Sequence, residues 1–291
     1  MESLLYLVLA GLMTGAIYAL VAIGFTLLWQ TSQTINFAQG EFAMLPAFFM
    51  LVALNLKLPL WLAILLGVGV SILLLGLAFK RLLVDPMLRH GVLPLAIATM
   101  ALAIFLKESV KEFYSAEAQR FPSLFPEQKV DVGGAMISIQ SIGVFLVAIA
   151  AVVALQLFLS RTRTGRSMQA VAQNPTVARI LGVPVERMIL LTFAINAALV
   201  ALASALVTPI YLAKFSNGEV LGMAAFVAAI VGGFNQIRGA IAGGFLLGIV
   251  DNIAAAYVST QYRAAIPLLI LIVVIMVRPQ GLLGRAEERT V

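Results

Sequence analysis

Phe37-Ala38-Gln39-Gly40-Glu41-Phe42 returns later in the chain as Phe215-Ser216-Asn217-Gly218-Glu219-Val220. Phe, Gly and Glu coincide, and the third position is an amide in both copies. Six residues beyond each Glu, Ala47-Phe48 matches Ala225-Phe226. Each copy interrupts a long apolar stretch. The glycine permits backbone angles closed to other residues. A helix beginning just after it presents free N–H groups and a partial positive charge. The pair therefore reads as two breaks in membrane-embedded helices, related by an internal repeat.

Composition names the solvent around those breaks. Apolar residues make up 62% of the 291 residues and charged residues 11%, with a mean hydropathy of +1.05. A soluble domain holds about 25% charged residues, so this chain cannot cover a water-facing surface and must sit in lipid. Roughly eight to ten spans of about 20 residues would use most of its length. The expected fold is an all-α integral membrane protein: one transmembrane domain over residues 1–291, a polytopic bundle with an inverted internal repeat and broken helices. The absence of cysteine rules out disulfides, thiolate metal sites and cysteine nucleophiles. The single histidine, His90, reads as a solvated loop residue, and no metal site is expected. Met1–Trp29 starts acidic, and its apolar run is too long for a signal peptide, so it reads as a first span.

Apolar runs place spans near Leu4–Trp29, Glu41–Leu54, Leu58–Phe79, Val92–Val110, Ile142–Leu159, Met188–Tyr211, Val220–Phe234, Ala240–Val258 and Ala264–Val277, about nine in all. Lys80–His90 reads as a loop. Basic residues then set the orientation. Lys80, Arg81, Arg89, Arg161, Arg163, Arg166, Arg179, Arg187, Arg238, Arg278, Arg285 and Arg289 share one side, largely uncancelled by acids. Lys57, Lys107, Lys111, Arg120, Lys129, Lys214 and Arg263 share the other, offset by Glu2, Glu108, Glu112, Glu117, Glu127, Asp131 and Glu219. The first side is expected to be cytoplasmic, with the N-terminus outside and the C-terminus inside. An external loop then covers residues 111–140, where two β-prone arms around Gly133-Gly134 read as a hairpin connector.

In this topology the helices after Glu41 and Glu219 run in opposite directions. Inverted repeats with broken helices mark transporter folds, whose sites lie near the midplane where the breaks meet. Asn36, Gln39, Gly40, Glu41, Gly218 and Glu219 are thus candidates for lining a pathway. Simple capping of helix N-termini explains the two glutamates equally well. Asp251 lies mid-span, where an acid costs on the order of 3 kcal/mol. It either joins the pathway or makes a hydrogen bond between helices. Asn196 and Thr192 read as packing residues. Gly11 and Gly15, Gly239 and Gly243, and Gly244 and Gly248 have the spacing that brings helix backbones close.

The cytoplasmic stretch 160–187 is too long for a plain connector. Asn174-Pro175 signals a helix start and Gly182 a helix stop, and Arg166–Gln173 also reads as helical. A basic topological anchor needs no capped helices, so docking of a cytoplasmic partner is the favoured reading. Its candidate contacts are Arg163, Gly165, Arg166, Ala170, Asn174, Arg179 and Gly182.

Seven pieces of the chain carry a resemblance: Ile35-Asn36-Phe37-Ala38-Gln39-Gly40-Glu41-Phe42, Arg161-Thr162-Arg163-Thr164-Gly165-Arg166, Ala172-Gln173-Asn174, Leu181-Gly182, Val231-Gly232-Gly233-Phe234, Gly239-Ala240-Ile241-Ala242-Gly243-Gly244 and Arg278-Pro279-Gln280-Gly281-Leu282. With these the chain resembles the membrane permeases of branched-chain amino-acid ABC importers, the LivH type. It departs from that pattern at Gln39, where the family usually shows His, and at Asp251, where Glu is common. The coupling stretch also lacks a complete EAA-type signature. The resemblance implies a second related permease subunit, two cytoplasmic ATPases that bind ATP and Mg, and a periplasmic binding protein, in the bacterial inner membrane. It implies no cofactor and no enzymatic activity in this chain, which has no Gly-rich Lys-Ser/Thr phosphate loop. A permease for urea or short amides is the alternative within the class. A stand-alone secondary transporter or channel is the alternative outside it.

Overall fold

The computed structural model describes residues 2–133, 135–258 and 265–284. Gly134 of the hairpin turn, and Arg263, Arg285 and Arg289 of the charge pattern, lie outside the described residues. Among the described residues, six helices are long and apolar enough to cross a membrane, and three more are apolar but shorter. The long first helix, α1 (Glu2–Ser32), is followed by the short α2 (Gln39–Asn55). Next, α3 (Leu60–Ser71) runs through two π-helical stretches, Ile72–Ala78 and Lys80–Val84, into α4 (Asp85–Leu88), and α5 (Val92–Phe113) follows. A hairpin of β1 (Lys129–Val132) and β2 (Ala135–Ser138) leads into α6 (Ile139–Arg161). After the small helices α7 (Arg163–Gln173) and α8 (Pro175–Ile180) come α9 (Val185–Tyr211), α10 (Asn217–Gly232), α11 (Ile237–Tyr257) and α12 (Ala265–Val277).

Two boundaries differ from the sequence reading. Lys80–His90 is no loop: the helix continues to Leu88. Lys80 stays inside it because Asp85 and Glu186 hold its ammonium at 3.0 and 3.1 Å, so a charge that looked solvated is almost fully buried. Likewise α5 continues to Phe113, so Lys111 and Glu112 belong to it and not to the external loop.

The middle of α1 is apolar on every side and buried on every side, as such a helix must be: Ile17, Ala19, Leu20, Val21, Ala22 and Ile23 have essentially no exposure. Its closest neighbour is α11, packed antiparallel. A Cβ on Gly11 would sit 2.6 Å from the Ile249 Cα, and one on Gly15 2.8 Å from the Phe245 Cα. From the other side, Gly244 faces the Ala19 backbone and Gly248 faces Gly15. The two spaced glycine pairs thus meet each other. Polar pairs flank the seam: Tyr18 donates to Asp251 at 2.9 Å, and Asn252 donates to Thr14 at 3.3 Å.

Two helices start inside the bundle. By the helical rise, the 17 residues of α2 span only about 26 Å, less than a hydrocarbon core of about 30 Å; α10 is shorter by one residue. Each is preceded by a connector that turns the chain back, containing Gln33 (φ 53°) or Leu212 (φ 64°). Such angles in residues other than glycine cost about 1–3 kcal/mol and persist only where the surroundings impose them. Here the backbone must re-enter the bundle within a few residues. The hairpin packs near the start of α1, and Gln119, in the loop before it, bridges to Ala213 of the α9–α10 connector. The α7–α8 unit lies at the opposite end, beside the last turns of α1 and α6.

Candidate functional site

The break before α2 is built from side chains that replace missing backbone partners. Asn36 accepts from the Ala38 N–H at 3.0 Å, and Thr99 of α5 accepts from the Phe37 N–H at 3.3 Å. Gln39, the first residue of α2, is fully buried and exchanges two hydrogen bonds with Asn196 of α9, at 2.7 and 3.0 Å. Gly24 of α1 leaves room for that pair; any side chain there would fall on both amides. Further on, Pro46 interrupts α2, and Ser204 accepts the Ala47 N–H at 3.1 Å. Buried polar groups in lipid require such internal partners.

Just past the break, α2 meets α10. Gly40 lies against the Gly218 carbonyl and the Gly222 Cα, close enough to exclude any side chain at either glycine. Both broken helices therefore converge at their N-termini. A cavity of about 350 Å³ opens at this crossing, between α2, α10 and α5. Gly40, Glu41, Gly218 and Glu219 all line it, so the structure brings the two repeat copies together. Glu41 is 4% exposed, and its Oε2 has no hydrogen-bond partner among the described residues. Lys107 lines the same cavity and donates to Glu219 Oε1.

The other candidates stand elsewhere. Asn36 and Gln39 sit behind the cavity, in the packing that shapes the break. Asp251 is not among the cavity's lining residues; it is buried in the α1–α11 seam, where Tyr18 donates to it.

At the far end, Thr162 caps α7 by accepting the Gly165 N–H at 2.9 Å, and Asn174 caps α8 by accepting the Val177 N–H at 3.0 Å. Gly165 fits against the Phe158 carbonyl and Leu159 of α6, where a side chain has no space. Gly182, at φ 82°, closes α8, with the Val183 N–H reaching back to Ala178 at 2.9 Å. Gly165, Met168 and Val171 face inward and Ala170 is half-buried, while Arg163, Arg166, Asn174, Arg179 and Gly182 are exposed. Ile180 and Leu181 are 79% and 75% exposed, a bare apolar patch next to the exposed Arg179.

Residues 7–275 match the family described as "Branched-chain amino acid transport system / permease component". The chain belongs to this permease family. The permease is 34% identical to the Escherichia coli K12 "High-affinity branched-chain amino acid transport system permease protein LivH", over 97% of this chain and 96% of that one. It is equally similar, with the same coverage, to the Pseudomonas aeruginosa protein BraD of the same description. A "Probable branched-chain amino acid transport permease protein LivH" from Methanocaldococcus jannaschii is 29% identical over 91% of this chain and 88% of its own. No solved structure gives a significant match. This is a multi-pass membrane protein of a transport system.

Two of the motifs behind the resemblance touch in the permease. The chain after α12 returns to the end of α10, where Leu282 and Leu283 donate to the carbonyls of Val231 and Gly232 at 2.8 and 2.9 Å. Gly281 (φ 80°) and Gly233 (φ 119°) make the close approach possible. Sequence reasoning missed Lys107 and Gly222 at the cavity, whereas Asn196, read as a packing residue, packs against Gln39. For Lys107 a signal existed, because an ionisable residue inside the apolar run Val92–Val110 is a functional candidate by default. Nothing local distinguishes Gly222, whose role depends on its contact with Gly40.

Proposed function

We propose that this permease is the membrane subunit of an ATP-driven importer for branched-chain amino acids in a bacterial inner membrane. Similarity to LivH and BraD along 97% of the chain carries this reading. A second related permease, two cytoplasmic ATPases and a periplasmic binding protein complete the assembly. ATP and Mg belong to the ATPases, so this chain takes no cofactor. The N-terminus lies outside and the C-terminus inside, which puts α7 and α8 in the cytoplasm, as their uncancelled arginines favour.

In this reading the ATPases grip the exposed face of α7–α8. Apolar Ile180 and Leu181 fill a groove on the partner, while Arg163, Arg166 and Arg179 meet acidic groups around it. Motion there passes to α6 through the Gly165 contact and to α9 through the short α8–α9 connector. The pathway runs past the crossing of α2 and α10, where close-packed glycines allow two helices to slide with little side-chain obstruction. Alternate opening on either side of Gly40, Glu41, Gly218 and Glu219 then moves the substrate.

The reading is tested with the reconstituted complex in proteoliposomes. Leucine uptake should require both ATP and the binding protein, and leucine should outcompete urea. Uptake by this chain alone, driven by an ion gradient, would refute it. In the same system Ile180→Asp with Leu181→Asp should strip the ATPases from the permease, read as loss of co-purification. Both side chains point into solvent, so the isolated permease should elute unchanged. Retained ATPases would show that docking lies elsewhere.

A further inference from the structure

We infer that the cavity between α2, α5 and α10 is a binding site for a zwitterionic amino acid, with Glu41 receiving the ammonium group and Lys107 the carboxylate. The inference rests on the transport reading above and adds the residues that hold the two charges.

Size comes first. A cavity of about 350 Å³ lies at the small end of small-molecule sites, which run from about 300 to 1,000 Å³. It suits a single metabolite. Its walls divide in two. Phe25, Phe37, Ala103, Ile104, Met223 and Phe226 form an apolar side, and Glu41, Lys107, Glu108 and Glu219 a charged one. A ligand with two charges at one end and a hydrocarbon side chain at the other matches this division.

The charged side then fixes which group goes where. Glu41 is a carboxylate almost fully buried in an apolar bundle, with Oε2 unpartnered among the described residues. A buried acceptor without a donor is costly, and in a membrane helix such a residue marks a ligand or ion path. An ammonium group supplies three donors and a positive charge. Gly218 keeps the space over the Glu41 carboxylate free of side chain. Glu108 is occupied by Lys111 at 3.1 Å, which leaves Glu41 as the open acid.

Among the described residues, Lys107 pairs with Glu219, whose side chain is 61% exposed. A side chain that open can swing away, so a carboxylate entering the cavity can take its place. Of the charged residues described around the cavity, Glu41, Glu108 and Glu219 are negative against Lys107. A ligand bearing only a carboxylate is therefore repelled. One bearing only an amine satisfies Glu41 and leaves Lys107 on Glu219. The zwitterion engages both.

The absence of cysteine makes a direct test possible. Ile104→Cys, and separately Met223→Cys, place one thiol on the cavity wall in a complex whose partner subunits are free of cysteine. Leucine should slow labelling by a small water-soluble maleimide about tenfold, equivalent to 1.4 kcal/mol of protection. Isopentylamine and 4-methylpentanoate, which each lack one charge, should protect far less. Adding Glu41→Gln or Lys107→Met should abolish protection by leucine, and Glu41→Asp should restore part of it. Equal protection in the Glu41→Gln background would overturn the role of Glu41. Isopentylamine protecting as well as leucine would overturn that of Lys107. These outcomes are separate from the transport reading, which fails if the unmodified complex takes up no leucine or if this chain alone takes it up on an ion gradient.

Discussion

Gly248→Leu is expected to leave no folded permease, seen as loss of the monodisperse peak when the detergent extract is chromatographed. The reason lies in what the new side chain meets. A Cβ at Gly248 falls on the Gly15 backbone and the Gly11 carbonyl, and these atoms belong to α1, whose middle is buried on every side. Overpacking costs about 1–3 kcal/mol where flexible side chains can yield. Backbone cannot yield without separating α1 from α11, which also parts Tyr18 from Asp251 and Asn252 from Thr14. Lipid offers no hydrophobic drive to restore the contact, because helices associate in membranes through close packing and hydrogen bonds. Gly15→Leu should fail in the same way. Gly69→Leu is the control: a Cβ there has nothing within 4 Å among the described residues, so this variant should elute like the parent. If Gly248→Leu also elutes normally, the α1–α11 seam is not the core of the fold.

A double-mutant cycle on Gln39 and Asn196 is expected to show strong coupling. Each single change to Leu leaves the opposite amide buried without its two hydrogen bonds, at a cost of about 1–3 kcal/mol. The double change removes both polar groups together, so part of the loss should return. Hydrogen bonds between membrane helices average about 0.6 kcal/mol in such cycles, with a maximum near 1.7. Two reciprocal bonds at a fully buried site place the coupling at about 1–2 kcal/mol. The readout is the thermal midpoint of the purified permease for the parent, both singles and the double. Strictly additive losses would show that the amides do not act as a pair. Gly24→Ala should mimic the single changes, since its methyl lands on both amides.

Much of the architecture was legible because lipid makes simple demands. A segment rich in apolar residues and poor in charge has one stable form there, a helix, and most helix positions followed from counting. The small cytoplasmic helices were legible for a different reason: Asn174-Pro175 and Gly182 act locally, through one cap and one positive φ. Lys80 was misplaced because charge alone marks loops only where charges stay solvated. Glu186 lies far from Lys80 in the chain, as Glu219 does from Lys107, and these distant acids allow each lysine to sit in a helix.

Phe37-Ala38-Gln39-Gly40-Glu41-Phe42 and its second copy set what the sequence determined alone: a membrane-embedded bundle, two breaks, and a glutamate just inside each. Local chemistry suffices for that, since glycine, an amide and an acid shape a helix start wherever it is placed. That the two starts meet was decided only by tertiary structure. The antiparallel α1–α11 seam, the Gln39–Asn196 pair and the Gly40–Gly222 contact hold α2 and α10 end to end. Depth in the fold then separates the two glutamates. Glu41 is buried with an open oxygen, whereas Glu219 reaches Lys107 and solvent. Identical motifs acquire different electrostatic surroundings because burial and partners belong to the packed bundle, and the motif itself carries neither.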